Sequence, residues 1–148
     1  MEYNYKFKNK KLFDLAMTHI SLANDLHIES NQRLEFLGDS VLSFVVATYI
    51  YNEYKKVDEG VLTELRANAV CEKTLAIAAR NLKLGEDLKF GKSERMSGGK
   101  DKDSVLADAY EALLAAIYLD SGIESAKDFI MDTIGSMIGD TSYVELEN

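Results

Sequence analysis

Apolar residues recur along the chain at helical spacing, and the segments they mark outline five helices. In the first, residues 9–17, Leu12, Leu15 and Ala16 share one side. The polar stretch THISLANDLHIESN reads as a loop. Residues 32–54 follow and are apolar on nearly all sides at their middle, which predicts a central, buried helix. The run VLSFVVATYIY inside it is rich in strand formers, yet its length and missing turn residues favour helix. A third helix should begin at Asp58, a good N-cap with Glu59 in the first turn, and run unbroken to Leu82, with Gly85 as its stop. Residues 89–103, KFGKSERMSGGKDKD, read as a mobile loop. The fourth helix starts at Asp103, and Ser121 with Glu124 offers a capping box for a fifth that reaches Ile138. The expected architecture is all-α, with one domain over 1–138 and a tail or linker stub over 139–148.

Composition sharpens this picture. Of 148 residues 47% are hydrophobic, enough for a core, and the absence of proline favours long helices. The single cysteine, Cys71, excludes an intramolecular disulfide and a cysteine-rich zinc site. The longest apolar run is shorter than the roughly 20 residues of a bilayer span, and no signal-peptide core follows the basic start. The expectation is a soluble, cytoplasmic protein without a membrane partner.

A net charge of -8 taken alone argues against a nucleic-acid partner. Its distribution changes that. Residues 120–148 carry -6, whereas 2–11 carry +3 and 89–103 carry +2. Two basic segments therefore stand clear of an acidic end, though each alone is also what a solvated surface looks like.

Four carboxylates stand in apolar helices. Glu35 and Asp39 are four residues apart in RLEFLGDSVL, and Asp108 and Glu111 three apart in LADAYEALL, so each pair shares a helix face. A buried carboxylate is costly unless paired, hydrogen-bonded or metal-bound. If the two helices pack face to face, four acids converge and need a cation to hold them together. Hard oxygen ligands suit Mg²⁺ or Mn²⁺, and such a centre could activate water against a phosphodiester. The bland alternative makes these acids surface residues or partners of Arg33, Arg66 and Lys73. Two pairs in apolar context argue against it.

Gly38, inside the helix between the first two acids, costs about 1 kcal/mol relative to alanine. Either another backbone, a subunit or a substrate comes close there, or it is a tolerated packing glycine. Phe36 points away from the Glu35/Asp39 face, into the core or into a partner. His19 reads as a loop-organising hydrogen-bonder, and Cys71 as a small mid-helix core residue.

Residues 31–42, NQRLEFLGDSVL, closely resemble the signature of the ribonuclease III endonuclease domain, ERLEFLGDSVL. THISLAN at 18–24, DEGVLTELRANAV at 58–70 and SGGKDKDSVLADAYEALLAAIYLDSG at 97–122 resemble three further segments of that family, in order. The resemblance implies an all-α, homodimeric endonuclease fold. Carried over position by position, it implies Mg²⁺, or Mn²⁺ in its place, held by Glu35, Asp39, Asp108 and Glu111 as metal ligands and catalytic residues. It implies that Glu59 supports the partner subunit's site, and that Phe36 plugs into a socket across the dimer interface. The implied activity is cleavage of double-stranded RNA to 5′-phosphate and 3′-hydroxyl ends with short 3′ overhangs, in processing of rRNA, mRNA and small RNAs. Which residues bind the RNA is not carried by these motifs.

Two departures matter. Gln32 stands where the family usually has an acid, which should weaken metal support or alter RNA contact. Bacterial members normally continue into a double-stranded-RNA-binding domain, and this sequence stops at Asn148, where that linker would begin. The 148 residues alone should therefore bind duplex weakly and with steep salt dependence. A non-catalytic RNA-binding or assembly module is the alternative, although such a module has no use for a costly acidic cluster. A di-iron bundle wants Glu-x-x-His, and Leu114 stands where the histidine would be.

Overall fold

The computed structural model describes residues 1–139. Nine α-helices are present among them: α1 (Lys10–Ala16), α2 (Ile20–Leu26), α3 (Gln32–Glu53), α4 (Glu59–Val70), α5 (Glu72–Asn81), α6 (Leu84–Asp87), α7 (Lys92–Met96), α8 (Asp103–Ser121) and α9 (Ile123–Ile134). Short 3₁₀ turns cover Gly99–Asp101 and Gly135–Met137. The all-α expectation holds for the described residues, and the single β-bridge joins Thr18 to Lys89. Of the tail expected over 139–148, residues 140–148 lie outside the described residues.

The central helix is α8, not α3. Eleven of its residues between Val105 and Ile117 are buried, and α3, α5, α9 and α1 pack around it. By length and hydropathy α3 could cross a membrane, with mean hydropathy 1.3, and here its inward face packs on α8. Its outward face is apolar and uncovered. Phe36 is 79% exposed, Phe44 65% and Tyr51 71%. The expectation of a helix buried all round is thus corrected: α3 buries Leu34, Val41, Leu42, Val45, Val46 and Ile50, and shows solvent a second apolar stripe.

Asp58 caps α4 as expected, its Oδ1 accepting from the Val61 N–H at 3.1 Å. The expected single helix to Leu82 is broken at Cys71, which is extended (φ -69°, ψ 160°). The Thr74 hydroxyl donates to the Asn68 carbonyl at 2.9 Å, satisfying an acceptor that helix termination frees. The turn lets α5 bury Thr74, Leu75, Ala76, Ala78 and Ala79, while α4 buries only Ala69. Cys71 is therefore a junction residue and not mid-helix. Lys83 in the left-handed region follows α5, and Gly85, expected as the stop, lies inside α6.

Two supposed loops contain helices. His19 caps α2, its Nδ1 accepting from the Ser21 N–H at 3.1 Å, which makes it the organiser expected. Residues 89–103 hold α7 and a 3₁₀ turn folded onto the body. A Cβ on Gly91 would lie 2.5 Å from Asp25 and 2.7 Å from the Ser21 carbonyl, so only glycine permits this docking. The capping box at Ser121 does not form. Ser121 ends α8 and its hydroxyl meets the Tyr5 hydroxyl, while Gly122 (φ 92°) separates the helices.

Candidate metal centre

The four acids come together because α3 and α8 touch at backbone distance. A Cβ on Gly38 would sit 1.8 Å from the Glu111 carbonyl oxygen. Gly38 is thus the close approach of another backbone, and that backbone belongs to the same chain. It lies three residues after Glu35 and just before Asp39, so both side chains arrive beside the Asp108/Glu111 face.

Glu35, Asp108 and Glu111 each offer a carboxylate oxygen within 4.8 Å of the others. Asp39 is more exposed and joins them through a hydrogen bond with Glu111. Glu35 and Asp108 are likewise hydrogen-bonded. Burial, then its neighbour Asp108, pushes Glu35 up to about 7. Burial, then Asp39, pushes Glu111 up to about 9. Asp108 is also raised by burial, with its hydrogen bond to Glu35 and then His19 working against the rise. Among the described ion pairs, none includes any of the four, and Arg33 pairs with Glu29 instead. The cluster is an electrostatic deficit that a divalent cation would fill. Oxygen donors at this spacing fit an octahedral cation with bonds of about 2.1 Å.

An ion pair and a histidine lie near Asp108. The Lys102 ammonium donates to Glu94 at 3.0 Å, and both sit near enough to His19 to act on its charge, as does Asp108. The His19 ring packs on Phe90, and burial pushes its pKa down. Glu59 is not brought to the cluster within one chain. It lines a separate cleft of about 230 Å³ with Ala47, Ile50, Tyr51, Leu62 and Arg66. The sequence places Lys102 only within the basic segment 89–103 and gives it no role of its own.

Comparisons with known proteins identify the family. The model of the family described as ribonuclease-III-like matches residues 9–138. A Ribonuclease 3 of Caldanaerobacter subterraneus subsp. tengcongensis is 52% identical over 137 residues, covering 91% of this chain and 60% of that protein. A Ribonuclease 3 of Syntrophomonas wolfei is 48% identical, covering 92% and 59%. The chain therefore spans about three-fifths of the length of these curated relatives. Among solved structures, the nuclease domain of ribonuclease III from Campylobacter jejuni, described as flexible in a region involved in dimer formation, superposes with a TM-score of 0.84 at 42% identity. The match covers 89% of this chain and 90% of that one. Dicer from Giardia intestinalis superposes at 0.69 with 25% identity, over 86% of this chain and 16% of that one. From its motifs, its fold and these matches, the chain belongs to the ribonuclease-III-like family.

Proposed function

We propose that this chain is the catalytic domain of a metal-dependent endoribonuclease that cuts double-stranded RNA, acting in the cytoplasm. The observation that carries the reading is the cluster of Glu35, Asp108 and Glu111, joined by Asp39 through its hydrogen bond with Glu111 and without an ion pair among the described residues, in a chain half identical to proteins named Ribonuclease 3. Glu35, Asp39, Asp108 and Glu111 hold Mg²⁺, or Mn²⁺ in its place. The metal supplies charge stabilisation at phosphorus and a more acidic water. The residues supply the rest. Gly38 lets the two helices close on the site. Glu111, whose backbone carbonyl lies against Gly38, would bind the metal as a carboxylate, the cation displacing the proton that burial holds on it. Lys102 and His19 edge the site with donors that suit a phosphate. The products are 5′-phosphate and 3′-hydroxyl ends with short 3′ overhangs, which requires one cut per strand and so two sites.

A homodimer supplies the second site. The stripe from Phe36 to Tyr51 runs fifteen residues, about 22 Å of helix. Two copies pairing their α3 helices antiparallel about a twofold axis at mid-stripe bring Phe36 of one to Tyr51 of the other. Tyr51 lines the 230 Å³ cleft, a socket for an aromatic ring, and Glu59 lines it too. The same pairing carries Glu59 toward the partner's acidic end.

The test is a labelled RNA duplex incubated at low salt with Mg²⁺, with Mn²⁺ and with EDTA. Metal-dependent cutting to fragments with 3′ overhangs is expected, with single-stranded RNA spared. Intact duplex in both metals, from folded dimeric protein, would favour the non-catalytic RNA-binding or assembly module.

A further inference from the structure

We infer that Asn31 is a positioning residue for the metal ligand Glu35, setting the approach of α3 to the site from outside the cluster. It rests on the metal-dependent reading of the four carboxylates. Asn31 occupies the N-cap position of α3, where asparagine is among the preferred residues because its side chain accepts from the first helical N–H groups. Here it does not cap. The Gln32 N–H donates to Ser30 Oγ at 3.2 Å instead. The Asn31 side chain turns inward, 5% exposed, and its Nδ2 donates to the Ala16 carbonyl at 3.0 Å. That carbonyl ends α1 and is one of the acceptors a helix end leaves unmet. The Asn31 backbone N–H donates to the Thr18 carbonyl at 2.9 Å, and its own carbonyl accepts the Glu35 N–H at 2.9 Å.

One residue thus binds the end of α1, the Thr18 crossing and the turn of α3 that carries Glu35. Thr18 bridges to Lys89, and the His19 N–H donates to the Lys89 carbonyl at 3.0 Å, so the same clasp reaches the segment leading to α7. Glu35 needs this support. Its carboxyl has Asp108 as hydrogen-bond partner, a group that repels it once both are charged, and no described ion pair holds it. Its backbone enters α3 through the Asn31 carbonyl, and the Asn31 side chain ties that entry to the end of α1. Ligand-orienting groups outside a metal's own ligand set typically govern affinity by 10–100-fold.

Titration calorimetry of the full chain with Mn²⁺ alone tests this without RNA. Asn31→Ala is expected to weaken Mn²⁺ binding about tenfold. Ser30→Ala, which removes the neighbouring cap, is expected to lower the melting temperature and leave the Mn²⁺ affinity unchanged. If Asn31→Ala does not melt cooperatively, Asn31→Ser serves in its place with the same expectation. Unaltered Mn²⁺ affinity in the asparagine variant overturns the positioning role alone, as does equal weakening in Ser30→Ala. No Mn²⁺ binding by the unsubstituted protein overturns the metal centre and this role with it.

Discussion

Glu111 has the most displaced proton of the four acids, held up to about 9 by burial and by Asp39. Glu35 is held up to about 7. In the unfolded chain both release their protons near 4.5. The folded, metal-free protein therefore binds more protons than the unfolded chain between these values. Its stability falls as pH rises through that window. A divalent cation replaces the protons, so its stabilising effect grows with pH. Thermal melts should show the metal-free melting temperature falling from pH 5 to pH 9, and a larger Mg²⁺ or Mn²⁺ shift at pH 8.5 than at pH 6. A shift independent of pH would contradict these assignments. Glu111→Gln keeps the volume and mimics the protonated acid. It should melt like the unsubstituted protein at pH 7 without metal, lose the Mn²⁺ shift and lose cleavage by about a thousandfold, several kcal/mol of transition-state stabilisation. Retained turnover would remove Glu111 from the site.

The contact of α3 with α8 is where element packing makes the site. Adding a methyl at Gly38 gains about 1 kcal/mol of helix propensity. It also drives a carbon to 1.8 Å from the Glu111 carbonyl, which neither backbone can accommodate in place. Overpacking of this kind costs about 1–3 kcal/mol or more and here must part the helices. Gly38→Ala is expected to lower stability and to weaken metal binding together, read by denaturant melts and Mn²⁺ titration. The sequence leaves Gly38 open between a close approach and a tolerated packing glycine, and the contact with the Glu111 backbone decides for the first. The spacings of the acids were legible as pairs on shared helix faces. The break at Cys71 was not, since nothing near it is glycine or proline; it is made by Thr74 reaching back to Asn68 and by α5 turning to bury its alanines on α8. The short helices α2 and α7 were missed because their stability comes from docking, through His19 and Gly91, and not from an apolar face of their own.

At the scale of the whole molecule, α3 read from sequence as buried on all sides because all sides are apolar. A single copy covers one side only. The uncovered stripe of Phe36, Phe44 and Tyr51 is what a second copy would bury, and the apolar pattern records both burials at once. Phe36→Ala should raise the dimer dissociation constant by about thirtyfold, the size of an aromatic anchor seated in a socket, in sedimentation at micromolar concentration. An unchanged profile would leave the stripe without that partner. The central claim is that four acids from two helices form one metal centre. Anomalous diffraction from crystals soaked in Mn²⁺ tests it most directly. The expected result is a peak bounded by Glu35, Asp39, Asp108 and Glu111; ordered Mn²⁺ elsewhere with no density among these four side chains would contradict it.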